Sequence, residues 1–253
     1  MDVATNQPLG TPTWITLAAP DLDRAIAFYR AVFGWEFAGG PEEYGGFTLC
    51  LLRGRAVAAV LPSDDPSVPS AWMVHLASPD CDVTVERTRR AGGRVLEEPA
   101  DVLDQGRTAL LRDPAGATFA LWQGRRHVGC QVVNEPGSLV RNDLVTRTPE
   151  PARQFYAAVF DFTLDGNPDM PGFDFTFLRR PDGHEVGGIM GDPAAPASAW
   201  NTTFEVAGTD EVVQRALDAG GTSPGVDEFV YGRIATIADP SGAEFSVITR
   251  PGE

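Results

Sequence analysis

The spacing of apolar and polar positions changes period along this chain in a fixed order. Trp14–Ala18 alternates with a period of two, as a half-buried strand does. The stretch DLDRAIAFYRAVFG, residues 21–34, switches to helical spacing, with Ala25, Ile26, Tyr29 and Phe33 on one side. Asp21 is suited to accept from the first free backbone N–H groups, and Gly34 to end the helix. Strand-like runs follow at Trp35–Ala38, Phe47–Leu52 and Ala56–Leu61, with Arg53-Gly54 as the turn between the last two. The unit predicted is β-α-β-β-β.

After a Pro/Ser/Asp-rich connector, Pro62–Ser70, the same order restarts. Trp72–Ala77 reads as a strand, Val83–Ala91 as a helix closed by Gly92-Gly93, and Arg94–Leu96, Thr108–Arg112 and Thr118–Trp122 as strands. DPAG is the turn between the last two. The pair of modules then recurs as a whole. AIAFYRAVFGWEF, residues 25–37, returns as ARQFYAAVFDFTL, residues 152–164. GRTALLRDPAGATFALW, residues 106–122, returns as GRIATIADPSGAEFSVI, residues 232–248. The AGG at Ala91 returns at Ala219. A near-constant offset with order kept marks duplicated domains, and the period is too long for a solenoid.

The boundaries that follow are a flexible arm over 1–12, a first domain over 13–123, a linker over 124–137 and a second domain over 138–250. Each domain has about 110–120 residues, enough for a core of its own. Trp72 and Trp200 open equivalent strands and read as domain-packing anchors.

Charge and composition narrow the function classes. A formal net charge of −15 opposes nucleic acid and anionic membranes, which reward basic patches. All 20 cationic residues are arginine, so a lysine Schiff base and a P-loop lysine are excluded. No run reaches the ~18 apolar residues of a membrane helix, and the first residues show no secretory leader. Three widely spaced cysteines, Cys50, Cys81 and Cys130, form no CxxC and no disulfide framework, which fits a reducing cytoplasm. No GxSxG nucleophile motif is present.

Four β-α-β-β-β modules, an FY pair on the first helix of each copy and DPxG before its last strand resemble the vicinal oxygen chelate superfamily. That superfamily includes glyoxalase I, extradiol dioxygenases and bleomycin-resistance proteins. The tandem form resembles a branch of actinobacterial proteins described as glyoxalase-like or hydroxylase-like. The resemblance implies an α+β fold of two tandem vicinal-oxygen-chelate domains, each a half-open barrel around a cavity.

In metal-dependent members of the superfamily, His, Gln or Glu ligands sit on four strands. One lies on each module's first strand, seven residues before the residue that opens the helix, and one on each module's last strand. Carried over, those positions hold Trp14, Met73 and Ala120 in the first copy and Arg141, Asn201 and Ser246 in the second. The last strands of the first and third modules, AVAAVL and VGGIM, offer no His, Asp, Glu or Cys; His184 and Glu185 fall in the adjacent turn. Trp, Met, Ala and Arg do not bind a hard divalent cation, and Asn and Ser do so weakly. Neither a metal nor another cofactor is expected.

Strand parity gives the cavity linings. In the first copy Trp14, Thr16, Met73, His75 and Trp122 share the inner face, while Ile15 and Leu17 pack on the helix. In the second, the inner face carries Arg141, Asp143, Asn201, Thr203, Glu205, Glu244 and Ser246. The first copy therefore offers an aromatic cavity around one histidine and the second a charged one. Each residue also has a bland role: Trp14 and Trp122 as core filling, Arg141 and Asp143 as a structural ion pair, Glu205 and Glu244 at a wet rim.

Three functions remain open. The first is metal-free binding of a hydrophobic or aromatic small molecule, for sequestration, resistance or as an accessory in biosynthesis. The second is a metal-independent isomerase, cyclase or hydroxylase-like enzyme, with His75, Asp143 or Glu205 doing acid–base work. The third is a metal-dependent lyase or dioxygenase with unusual ligands. The expected partner is a small molecule, and the chain is expected to be a monomer or a homodimer.

Overall fold

Alternate burial along the first strand sets the layering of the molecule. In β1 (Pro12–Ala19), Ile15 and Leu17 are fully buried against helices, while Thr16 and Ala18 on the other face are half-buried. The computed structural model describes residues 3–40, 46–63, 70–166 and 172–251. Most of the Pro62–Ser70 connector therefore lies outside the described residues.

The first module continues with α1 (Leu22–Phe33), β2 (Glu36–Gly39), β3 (Thr48–Leu52) and β4 (Arg55–Pro62). The Asp21 carboxylate accepts from Arg24 N–H, and Gly34 closes the helix at φ 70°. The second module is β5 (Ala71–Ala77), α2 (Cys81–Arg90), β6 (Arg94–Val102), β7 (Gly106–Arg112) and β8 (Thr118–Gly124). The second copy repeats both: β9 (Leu139–Thr146), α3 (Pro149–Phe160), β10 (Thr163–Gly166), β11 (Phe175–Arg179) and β12 (Glu185–Gly191), then β13 (Ala199–Glu205), α4 (Thr209–Asp218), β14 (Val226–Phe229), β15 (Gly232–Ala238) and β16 (Glu244–Thr249). Each copy forms one eight-stranded sheet, in the orders β2-β3-β4-β1-β5-β8-β7-β6 and β10-β11-β12-β9-β13-β16-β15-β14. First strands of paired modules run antiparallel, and each module's first and last strands run parallel. Neither sheet closes on itself, so each barrel is half-open.

The residues that announced the duplication are the residues that join the copies. Helix α1 packs on α4 and α2 on α3, so each hydrophobic cluster draws on both copies. Tyr29 Oη donates to Asp239 Oδ2 (3.1 Å) and accepts from Trp72 Nε1 (3.1 Å). Tyr156 Oη donates to Asp113 Oδ2 (3.0 Å) and accepts from Trp200 Nε1 (2.8 Å). The FY tyrosine of one copy thus bonds the DPxG aspartate of the other, twice. Burial, reinforced by the facing aspartate, raises both phenol pKa values well above the usual range, so both stay protonated. The AGG motifs serve the same contact: a Cβ on Gly93 would lie 2.7 Å from Phe155, and one on Gly221 2.8 Å from Phe28.

Residues 3–11, expected as a loose arm, are tied down instead. Gly10 N–H donates to Ala77 O, Asn6 Nδ2 to Gly124 O, and Arg180 Nη1 to Thr11 Oγ1. The expected linker is likewise packed: Cys130 N–H donates to Thr13 O, Gln131 N–H to Ala56 O, and Val132 is fully buried. Glu185, expected in a turn, is the first residue of β12. Among the described residues no helix is long and apolar enough to cross a membrane.

Candidate functional site

Each sheet turns one face to the helices and leaves the other free to form a site. On the free face of the first copy, register sets Trp14 beside His75 and His75 beside Ala120. The chain leaving β8 folds back over this row. The His127 ring meets Trp14 edge-on at 4.4 Å and Trp122 at 5.5 Å, and Trp122 Nε1 donates to His127 O (2.8 Å). Trp14 and Trp122 are only 5% and 6% exposed. The aromatic space expected between them is therefore filled by the chain itself, a correction that parity along strands had no means to supply. His75 Nε2 lies 3.0 Å from Thr16 Oγ1, and its Nδ1 is buried without a partner. Desolvation and the neighbouring His127 push the His75 pKa down to about 3; desolvation pushes His127 down to about 4. Both are neutral at pH 7.

The free face of the second copy is open. The equivalent row is Arg141 on β9, Thr203 on β13 and Ser246 on β16, again in direct register. With it lies a cleft of about 2230 Å³, lined mostly by the second copy and reaching Met73 and Thr118 of the first at its edge. That volume exceeds the ~300–1,000 Å³ of a closed small-molecule pocket, as befits a broad groove. Arg141, Asp143, Asn201, Glu205, Glu244 and Ser246 all line it. Trp14, Thr16, His75 and Trp122 do not. The acid–base candidates are thereby divided: His75 lies on one face, Asp143 and Glu205 on the other.

Arg141 organises this cleft. Its Nε donates to both Asp143 oxygens (2.8 and 2.7 Å), and Nη1 donates to Glu185. Arg179 joins Glu185 (3.2 Å) and Asp165 (2.6 Å). Burial opposes the Arg141 charge, but Asp143 and Glu185 outweigh it, so its proton is held more tightly than usual. Nη2 is buried and has no partner. A buried donor left unpaired costs about 1–3 kcal/mol, so an acceptor delivered to it is rewarded.

The wall beside Arg141 is aromatic, which the sequence reading missed. Its guanidinium carbon lies 5.5 Å from the Phe175 ring centre and 5.6 Å from that of Phe177, within cation–π range. Phe173 stacks on Phe175 at 6.2 Å. The signal was legible: PGFDFTFLRR puts phenylalanines at alternate positions 173, 175 and 177, on one face of a strand. Elsewhere Asn201 Nδ2 donates to Ser246 Oγ (2.9 Å), and Arg250 Nη2 to Glu205 Oε2 (2.6 Å).

These residues do not fit a divalent metal. A guanidinium occupies the position of one family ligand and already holds the nearest carboxylates. Asn201 and Ser246, at two further such positions, bond each other through Asn201 Nδ2 and are neutral, weak ligands for a hard cation. Among the described residues no three His, Cys, Asp or Glu side chains converge.

Comparison with known proteins places this geometry in context. The family described as "Glyoxalase-like domain" matches residues 14–122. A "Putative glyoxylase CFP32" of Mycobacterium tuberculosis is 36% identical over 248 residues, covering 94% of each chain. "Anthracycline biosynthesis protein DnrV" of Streptomyces peucetius is 32% identical over 256 residues, covering 94% of this chain and 93% of its own. Among solved structures, the Mn(II)-bound glyoxalase from Novosphingobium aromaticivorans aligns with a TM-score of 0.68 over 95% of this chain and 82% of its own, at 18% identity. The 2,3-dioxygenase LapB from Pseudomonas sp. KL28 aligns with a TM-score of 0.65 over 97% and 96%, at 16% identity. At such identities the structural likeness shows the fold alone.

Proposed function

Because the chain belongs to the vicinal oxygen chelate superfamily, in its tandem glyoxalase-like form, and that fold hosts many chemistries, its own side chains must decide its role, and we propose metal-free binding of a flat aromatic small molecule in the second-copy cleft. The observation that carries this is the aromatic strip Phe173–Phe175–Phe177 beside the half-buried Arg141 guanidinium, one nitrogen of which is buried and unpaired. The Phe175 and Phe177 rings stand at 69° to each other, so a planar ring system stacked on one meets the other edge-on and gains about 0.5–1.5 kcal/mol per aromatic contact beyond burial of its area. The relatives named for anthracycline biosynthesis support a fused-ring aromatic as the ligand class and an accessory role in making or holding one.

Titration calorimetry with a panel of fused-ring quinones and flavonoids tests it. Binding is expected at micromolar affinity or better, unchanged by EDTA. Phe175→Ala with Phe177→Ala is expected to weaken it tenfold or more. Absence of binding across the panel, or binding that the double variant leaves intact, overturns the assignment.

A further inference from the structure

The same cleft also carries a statement about the ligand's charge. Every guanidinium along it is already matched by carboxylate. Arg141 is held by Asp143 and Glu185, Arg179 by Asp165 and Glu185, and Arg250 by Glu205. Asp227 and Glu244 add further negative charge to the lining with no matching cation among the lining residues. The cleft therefore has cationic groups but no surplus positive charge. An aromatic acid entering it meets a net negative wall and loses its own hydration without a free cation to replace it.

What Arg141 lacks is an acceptor for its third nitrogen. Arg141 is clamped on two of its three nitrogens, which fixes the direction in which Nη2 points its N–H groups. That nitrogen is buried and unpartnered. The Phe175 and Phe177 rings flank the same guanidinium, so a ligand ring stacked on either one brings a substituent oxygen towards Nη2. A carbonyl oxygen accepts a hydrogen bond through its lone pairs and brings no charge to compensate.

Resting on the aromatic-binding assignment above, we infer that the second-copy cleft selects uncharged, carbonyl-bearing aromatics, aryl ketones or quinones, over aromatic carboxylates, and that Arg141 Nη2 is the donor that reads the carbonyl oxygen. Arg141 here is a recognition residue; its pairs with Asp143 and Glu185 orient it.

The test uses the full chain and three probes of one shape: anthraquinone, anthracene and anthraquinone-2-carboxylate, each titrated at pH 7 in the same low fraction of co-solvent. Anthraquinone is expected to bind at least tenfold tighter than either of the others. Arg141→Lys keeps the positive charge against Asp143 and Glu185 but lacks the fork. It is expected to erase the preference for anthraquinone over anthracene, with circular dichroism confirming the fold. Should Arg141→Lys fail to fold, the comparison of probes on the wild type decides alone. Equal or tighter binding of the carboxylate, equal binding of anthracene and anthraquinone, or a preference that survives in a folded Arg141→Lys overturns the inference while leaving aromatic binding standing. If none of the three binds the wild type, the aromatic-binding assignment falls and takes this inference with it.

Discussion

At the scale of single residues, two histidines tie stability to pH. His75 and His127 are buried and neutral, with pKa values pushed from an ordinary 6.5 to about 3 and about 4. In the unfolded chain both take up a proton as pH falls through ~6.5, whereas in the folded chain neither does until near 3–4. Stability contributed by their neutral state is therefore complete above ~6.5 and lost progressively on acidification. Between pH 7 and pH 5 each histidine is expected to cost about 2 kcal/mol. His127→Phe keeps a ring against Trp14 and Trp122 but removes one titration. Urea denaturation at pH 7 and pH 5 should show a smaller loss for this variant than for the wild type, and an equal loss would refute the assignment. The sequence reading put His75 on the right face and missed what covers it. Parity follows one strand at a time, whereas His127 arrives from a connecting segment whose path depends on tertiary packing. The pairing of Arg141 with Glu185 was hidden for a related reason, because the two residues meet across neighbouring strands and the local sequence around Glu185 reads as a turn.

At the scale of elements, the repeat itself made the fold legible. Helix and strand periods, Asp21 as cap, and Arg53-Gly54 as a turn with φ 52° and 71° needed only local chemistry. The inter-copy role of the FY, DPxG and AGG landmarks was not legible, since a single chain shows that they recur but not what they touch. Their geometry yields a prediction. Gly93 sits where α2 turns into β6, and an added Cβ would meet Phe155 and Thr88 at 2.7 Å and Arg112 O at 3.1 Å. Gly93→Ala is expected to destabilise by about 1–3 kcal/mol through overpacking between α2 and α3. Gly39, on the edge strand β2, has nothing within 4 Å of such a Cβ, so Gly39→Ala is the matched control and should change stability little. Equal melting temperatures for the two variants would mean that the helices give way more easily than the packing suggests.

At the scale of the whole molecule, the two sheets are separate but the two cores are not. One cluster joins Phe28, Tyr29, Trp35 and Trp72 of the first copy to Phe204 and Phe245 of the second. The other joins Leu111 and Phe119 to Phe155, Tyr156, Phe160 and Trp200. Arginines lock the arrangement at both ends: Arg87 Nη1 donates to Val159 O (2.8 Å) and Arg215 Nη2 to Val32 O (2.9 Å), each reaching the last turn of the facing helix. Those carbonyls lack partners within their own helix, so each arginine satisfies what the other copy leaves open. Cutting the chain at the boundary of the copies would expose both aromatic clusters and strand Tyr29 from Asp239 and Tyr156 from Asp113. A fragment of residues 1–137 is therefore expected not to persist as a folded monomer. Light scattering after size exclusion should find it aggregated or paired with itself through α1 and α2, the pairing that the second copy normally provides. Co-expression with residues 138–253 should restore a soluble one-to-one complex melting in a single transition. A monomeric 1–137 fragment with a cooperative melt of its own would show that the shared clusters are incidental and that each copy is a domain in the thermodynamic sense.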